Sequence, residues 1–201
     1  METDAAIFTG FRSGRPGAAE ELWRVFAPRM FAVSRGLLGP KRSHMAGDIV
    51  QRVLMDVLRL PESRLREVRD VGAFLVVSTR NATFNALRGE HREMTRLREV
   101  ARRARQERCE GAADASSDAT QTWAAFGDVA RAMETLSEEH RDVLVLRHIA
   151  GLSFDQLSAA LGVARSTLAS RYAKAIEQLR ERMTEKHVPS KVSADVVGVK
   201  Q

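Results

Sequence analysis

Apolar residues recur along the chain at intervals of three and four, the spacing that places side chains on one face of an α-helix. The clearest stripes lie in 18–38, 46–60, 73–88, 124–136 and 137–150. Strand signals are weak, because the sequence has no Asn-Gly or Asp-Gly turn and no clean run of alternating apolar and polar residues. The pattern therefore predicts an all-α protein.

Residues that end helices divide these stripes. Gly39-Pro40 follows the first stripe and Pro61 follows the second. We expect 61–72 to be a charged loop, and the helix that starts near residue 73 to end near Arg88. The Arg-rich stretch that follows, from Gly89 to Arg108, has some helical character but almost no apolar face.

The segment 110–120 consists of small and polar residues that cannot bury a core, which is typical of a flexible linker. The sequence therefore predicts two small helical domains, 5–92 and 124–183, joined by 93–123. The tail, 184–201, has no helical stripe and is predicted to be disordered.

A helix-turn-helix is predicted from Ser153 to Arg180. Ser153 caps its first helix, and Gln156, three residues on, completes a capping box. Gly162 suits the turn, where positive φ is often required. The second helix starts near Arg165 and has an apolar face of its own, formed by Leu168, Tyr172, Ile176 and Leu179.

The opposite face of that second helix is basic and polar, as contact with the major groove of DNA requires. Its residues are Arg165, Ser166, Thr167, Ser170, Arg171 and Lys174. The spacing alone also fits an ordinary helical hairpin with solvated charges.

The charge balance allows nucleic acid as a partner without selecting it. The formal net charge is +6 and the pI is near 10.2, which suits nucleic acid or an anionic membrane. Cys109 is the only cysteine, so neither a disulfide within the chain nor a thiolate zinc cluster is possible. The segment 1–11 carries two acids and does not resemble a signal peptide, and no run is long enough to span a membrane. We expect a cytoplasmic protein with no cofactor and no metal site.

Two groups of polar residues stand out on the N-terminal helices. In Asp48-Ile49-Val50-Gln51 the apolar pair can pack inward while Asp48 and Gln51 share the opposite side and can hydrogen-bond a partner protein. From the residues alone this signal is weak, and an ordinary solvated face is the commoner explanation of such a motif.

The second group lies around apolar Phe84 and Leu87. Asn is a poor helix former, but its amide can bond base edges, while Arg can neutralise phosphates. This group consists of Arg80, Asn81, Asn85 and Arg88.

Taken together, these segments resemble the extracytoplasmic-function sigma factors, a class of the bacterial sigma-70 family. Residues 46–51 are similar to the family's Ala-Glu-Asp-Leu-Val-Gln. The other matching segments are Ala73-Phe74-Leu75, Arg80-Asn81, Asn85-Ala86-Leu87-Arg88, Leu136-Ser137, Arg141-Asp142-Val143-Leu144, Gly151-Leu152-Ser153, Leu161-Gly162-Val163, Ser166-Thr167-Leu168 and Ser170-Arg171. The order and spacing of these segments make the resemblance specific.

The resemblance implies a fold of two helical domains, sigma region 2 and sigma region 4, and two macromolecular partners. The helix that holds Asp48, Ile49, Val50 and Gln51 would dock on core RNA polymerase. The 61–72 loop and the Arg80–Arg88 helix would read and open the minus-ten promoter element, and the helix-turn-helix would read the minus-thirty-five element. An anti-sigma protein is a further possible partner. The resemblance implies no small-molecule substrate and no catalysis.

The sequence departs from the family pattern at several positions. Gly47 stands where Glu is usual and Asn85 where Asp is common. Ala164 replaces the usual Ser cap of the recognition helix, and Ala169 replaces a frequent Lys. These changes leave the promoter sequence open.

Two other functional classes fit less well. A transcription regulator that uses the same helix-turn-helix without binding core polymerase would need a ligand or receiver domain, and neither pattern is present. An enzyme would need a nucleophile or a ligand cluster. His140 and His148 lie eight residues apart, too far for a helical metal pair.

Overall fold

The structure, a computed structural model, describes residues 4–106 and 127–185, and most of these residues are helical. The predicted all-α fold class is confirmed. The helices before the linker are α1 (Asp4–Arg12), α2 (Ala18–Leu38), α3 (Ala46–Leu58), α4 (Glu62–Glu67) and α5 (Val71–Gln106), with a short 3-10 helix, Pro40–Met45, between α2 and α3. Those after it are α6 (Gly127–Glu134), α7 (Glu138–Leu144), α8 (Phe154–Leu161) and α9 (Arg165–Glu185), with a π-helical turn, Val145–Ile149, after α7.

Two sequence predictions of local structure are wrong. The segment 61–72 is not all loop, because Leu65 is buried against the core and anchors the single short helix α4. Helix α5 does not end near Arg88 but continues to Gln106. Strong helix formers, together with an Arg102–Glu99 pair at 3.0 Å one turn apart, favour this extension without a buried face. The predicted linker core, 110–120, Cys109 and the tail beyond residue 185 lie outside the described residues.

The N-terminal helices α1, α2, α3 and α5 surround a core of aliphatic and aromatic side chains. Met30 and Val50 are fully buried in it. Its other fully or nearly fully buried members are Ile7, Phe8, Leu22, Phe26, Ala27, Val53, Leu54, Val57, Leu65, Val71 and Leu75.

A second core joins the N-terminal helices to the helix-turn-helix domain. Val33 and Leu37 of α2 and Val76 of α5 lie in one apolar cluster with Val145 and Leu146. The π-helical turn approaches α2 so closely that a Cβ on Gly36 would lie 2.9 Å from Cδ1 of Ile149 and 3.1 Å from Cγ2 of Val145. The two domains therefore pack directly on each other, which the sequence did not indicate.

Candidate nucleic-acid and polymerase-binding surfaces

The helix-turn-helix is built by the capping residues that the sequence predicted. Ser153 Oγ accepts a hydrogen bond from the Gln156 backbone N–H at 3.1 Å, and Gln156 Oε1 accepts one from the Ser153 N–H at 2.9 Å. Gly162 ends α8 with φ +66°, in the left-handed region that favours glycine. These two local features fix where α8 begins and where the chain turns into α9.

The inward face of α9 anchors the recognition helix. Leu168 and Ala175 are buried, and Leu168 packs in the same cluster as Leu157 of α8. Tyr172 stacks on His148 with ring centroids 5.5 Å apart and meets Phe154 edge-on at 5.6 Å. This packing holds the opposite face of α9 towards solvent.

That opposite face carries the residues predicted to read the minus-thirty-five element. Ser166, Thr167, Ser170 and Lys174 are exposed, as is Arg165, whose Nε lies 3.3 Å from Asp155. Arg171 is the least exposed, at 30%, and its Nη2 lies 3.0 Å from Glu139 Oε1. The structure thus brings all six predicted side chains onto one helix, with Arg171 already paired within its domain.

At the N-terminus of α9, Ala164 offers no side-chain oxygen to the first turn. The Leu168 N–H reaches the Ala164 carbonyl at 3.1 Å. Helix α7, by contrast, begins with the predicted cap, because Ser137 Oγ accepts from the His140 N–H at 3.3 Å.

Arg141, on α7, has a structural role that sequence reasoning missed. Its guanidinium donates to the carbonyls of Met133, Glu134 and Leu136 at 3.0–3.3 Å, and across the domain boundary to the carbonyl of Leu37 at 3.2 Å. Burial lowers the pKa of Arg141 from its usual value, and the nearby acids, Glu134 first, oppose that effect. Position in a predicted helix gave no signal for this role, since the acceptors lie at the end of α6, in the loop that follows it and on the distant helix α2.

The Arg80 group lies on the first half of α5, and its members differ in accessibility. Asn81, Asn85 and Arg88 are exposed. Arg88 Nη2 donates to Asn85 Oδ1 at 2.9 Å. Arg80 is only 25% exposed and points at the helix-turn-helix domain.

Arg80 forms a fork-shaped ion pair with Asp142 of α7. Its Nε lies 2.9 and 3.0 Å from the two carboxylate oxygens, and its Nη2 lies 2.7 Å from Oδ2. Burial raises the pKa of Asp142 above its ordinary value, while the hydrogen bonds from Arg80 act in the opposite direction. The buried carboxylate therefore depends on this one guanidinium for its closest positive partner.

The segment before α5 makes a second contact with the same domain. Asp70 caps α5, since its Oδ1 accepts from the Ala73 N–H at 2.9 Å. Its other oxygen accepts from Gln156 Nε2 of the capping box, also at 2.9 Å.

The predicted polymerase-binding motif on α3 separates into two pairs. Asp48 and Gln51 are exposed, whereas Ile49 is 7% exposed and Val50 is fully buried. Ile49 and Val50 were predicted as binding residues, but as core side chains they can only position the helix. This correction leaves Asp48 and Gln51 as the two side chains of the motif that a partner can reach.

An apolar groove adjoins Gln51, and sequence reasoning did not single it out. Trp23, Met55 and Leu58 are 42–48% exposed there. The groove is lined by Phe11, Ala19, Leu22, Trp23, Gln51, Leu54, Met55 and Leu58. Large apolar side chains at the edge of a surface groove are typical anchors of protein partners. Within 4–106 and 127–185, no helix has the length and apolar character needed to cross a bilayer.

Comparison with known proteins identifies the helix-turn-helix domain. Residues 132–181 match the family "Sigma-70, region 4". No curated protein sequence matches the chain significantly.

Two solved structures share the fold. One is the sigma factor RpoE in complex with the anti-sigma factor NepR from Bartonella quintana, with 21% identity and a TM-score of 0.63 over 84% of this chain and 98% of that one. The other is CnrH in complex with the cytosolic domain of CnrY, with 19% identity and a TM-score of 0.61 over 92% of this chain and 99% of that one. Together with the helix-turn-helix geometry, these comparisons support the predicted resemblance to the sigma-70 family: residues 132–181 carry a sigma-70 region 4 domain, in a chain that shares the fold of these two structures.

Proposed function

We propose that this chain is a sigma factor that binds bacterial core RNA polymerase through α3, reads and opens the minus-ten element with the 61–72 segment and α5, and reads the minus-thirty-five element with α9. The observation that carries the proposal is the exposed basic and polar face of α9, held outward by buried Leu168 and Ala175 in a domain that matches sigma region 4. It is a specificity subunit without chemistry of its own and acts in the cytoplasm.

The polymerase side of the proposal rests on the exposed polar pair of α3 and the groove beside it. Asp48 and Gln51 offer hydrogen-bonding groups, and Trp23 and Met55 offer apolar area at the same end of the domain. An apolar anchor flanked by polar groups is the usual composition of a protein interface.

The proposal includes an anti-sigma protein as a regulatory partner. RpoE was solved with the anti-sigma factor NepR, and CnrH with the cytosolic domain of CnrY. The exposed groove around Trp23 gives such a partner an apolar surface in this chain.

Reconstituted transcription tests the central function. The chain is added to bacterial core RNA polymerase and a genomic library, and the 5′ ends of the transcripts are mapped. We expect starts at defined sites preceded by two shared elements. Core polymerase alone is the control. Starts at the same positions with and without the chain, or no defined starts at all, would refute the proposal.

The polymerase contact gives a prediction of its own. The double substitution Asp48→Ala and Gln51→Ala is expected to weaken core binding about tenfold, because each lost interface hydrogen bond costs roughly 0.5–1.5 kcal/mol. Binding is measured by fluorescence anisotropy of labelled chain titrated with core, with circular dichroism as a check on folding. Glu20→Ala, an exposed acid on α2, is the control for charge loss. Unchanged core affinity in the double variant would remove α3 from the interface.

A further inference from the structure

Both elements proposed to read the minus-ten region are attached to the region 4 domain. The Arg80 guanidinium of α5 forms an ion pair with Asp142 of α7, in which the shortest N–O distance is 2.7 Å. Asp70, which starts α5, accepts a hydrogen bond from Gln156 of α8 at 2.9 Å. These two contacts lie on different helices of region 4, so each is independent evidence for the same attachment.

The Arg80–Asp142 pair has the geometry of an arginine on a phosphate. Arg binds carboxylate and phosphate through the same planar fork of N–H groups, and here both carboxylate oxygens are engaged. The guanidinium carbon also lies over the Phe84 ring, 4.7 Å from its centroid, so the ring covers one planar face of the guanidinium. The Nε and Nη2 groups that would bind a DNA phosphate in this fork are therefore occupied while Asp142 holds them, and Nη1 donates to Asn81 Oδ1 at 2.8 Å.

We propose that the packed arrangement of the two domains is an autoinhibited state, in which the Asp142 carboxylate occupies the place of a DNA phosphate on Arg80. The Asp70–Gln156 contact is the second attachment of the same state. The proposal rests on the proposed function, because it takes Arg80 as a DNA-binding residue.

The interface is built to hold this state. The apolar cluster that joins α2 and α5 to the π-helical turn contains Val33, Leu37, Val145 and Leu146, each fully buried. The Arg141 guanidinium reaches the Leu37 carbonyl at 3.2 Å, beside the same cluster. Only Gly at position 36 gives the turn this distance from α2 without displacing a side chain.

The distance between the two promoter elements also requires the two domains to separate before both elements can be bound. The two promoter elements, named for positions 25 base pairs apart, are separated by roughly 85 Å at about 3.4 Å per base pair. A folded domain of the size of region 4 is only roughly 25 Å across. Because α7 carries Asp142 in this small domain, Arg80 and the α9 face cannot reach both elements while the Arg80–Asp142 pair is intact.

The packed state withholds Arg80 of α5 from DNA but leaves the α9 face accessible. Ser166, Thr167, Ser170 and Lys174 on α9 remain exposed in the packed state, whereas Arg80 is withheld. The free chain should therefore bind a single strand weakly through region 2, although its recognition helix stays accessible.

Two substitutions should open the state without touching a DNA-reading residue. Asp142→Asn removes the charge that holds Arg80 and keeps the shape of the side chain. Gln156→Glu retains an acceptor for the Ser153 N–H, as capping boxes allow, but places a carboxylate against Asp70. Glu138→Gln, on the exposed side of α7, is the matched control for the change in charge.

The experiment measures compactness and DNA binding on the same full-length samples. Small-angle X-ray scattering gives the radius of gyration, and anisotropy of a short fluorescein-labelled oligothymidine gives single-strand affinity. We expect both opening variants to expand and to bind the oligonucleotide about tenfold more tightly, since a masked state that leaves roughly a tenth of the chains competent weakens binding by that factor. The Glu138→Gln variant should match the natural chain in both measurements.

A second variant tests whether the gain acts through Arg80. Adding Arg80→Ala to Asp142→Asn should keep the expansion and abolish the gain in affinity. A gain that persists without Arg80, or an expanded chain with no gain, overturns the masking proposal. So does the absence of expansion in both opening variants. Failure of the proposed function is recognised separately, because the natural chain then gives no defined starts with core polymerase.

Discussion

Replacing Arg141 by Ala is expected to destabilise the region 4 domain by about 3 kcal/mol, the largest effect on stability predicted for this chain. The guanidinium satisfies the carbonyls of Met133, Glu134, Leu136 and Leu37 at once. A truncated side chain removes this donor from the carbonyls of Glu134, Leu136 and Leu37, whereas the Met133 carbonyl keeps the Leu136 N–H at 3.2 Å, and buried unpaired polar groups are costly. The loss should therefore far exceed that of an exposed arginine.

Hydrogen exchange detects this loss in the full chain. Peptides from α7 and α9 should exchange about a hundredfold faster in Arg141→Ala, which corresponds to roughly 3 kcal/mol of opening free energy. In Arg141→Lys the exchange rates of these peptides should lie between those of the natural chain and of Arg141→Ala, because a single ammonium cannot reach the same set of acceptors. Arg131→Ala is the control, since that exposed side chain pairs only at the surface with Asp128 within α6. Equal exchange in Arg141→Ala and Arg131→Ala would disprove the role of Arg141.

The helix-turn-helix could be predicted closely because its determinants are local. A capping box spans four residues, and a glycine with positive φ marks a turn without reference to the rest of the fold. Ser153, Gln156 and Gly162 adopt the predicted roles. The same locality explains Ser137, which caps α7 as the sequence indicated.

The extent of α5 could not be read from apolar spacing. The predicted helix ended where its buried face ended, near Arg88, yet the backbone continues to Gln106. Beyond that point Met94, Leu97 and Val100 are 47–58% exposed, so packing does not decide the structure there. Beyond Arg88 the helix is favoured by the intrinsic helix propensity of its residues and by ion pairs one turn apart. Neither produces a periodic pattern of apolar residues in the sequence.

The contacts between the domains lay outside the reach of sequence reasoning for a different reason. Arg80 and Asp142 are 62 positions apart, and each has an ordinary local explanation, one as a DNA-facing cation and the other as part of a family-like motif. Only the packing of α2 and α5 on the π-helical turn brings them together. Charge patterning along one helix cannot identify a partner on another domain.

In the α3 motif, the spacing of apolar residues correctly predicts which side chains face the core. Ile49 and Val50 pack inward, as the apolar spacing indicated, and burial removes them from the predicted contact set. The groove at Trp23 was missed because its members come from α1, α2 and α3, whose relative placement only the fold supplies.

Removal of two cations from the recognition face is expected to have the largest effect on DNA binding. Arg165→Ala with Lys174→Ala should weaken binding of a minus-thirty-five duplex, taken from a mapped promoter, by about 10- to 100-fold at low salt. Each lost phosphate contact should also reduce the slope of log affinity against log salt by about 1. Both side chains are exposed, and the Asp155 pair of Arg165 at 3.3 Å contributes little at the surface. The fold should be unaffected, because both side chains are exposed and neither belongs to a buried cluster.

The salt slope separates contact from general attraction. Arg24→Ala with Arg59→Ala removes the same charge from exposed positions of the N-terminal domain, 77% and 72% exposed, away from α9. Both double variants lower the net charge equally, so long-range attraction falls by a similar amount in each. Only the α9 variant should lose about two units of slope, because released counterions report phosphates actually contacted. Equal slopes in the two variants would mean that the α9 face does not touch the duplex, and the minus-thirty-five assignment would then be wrong.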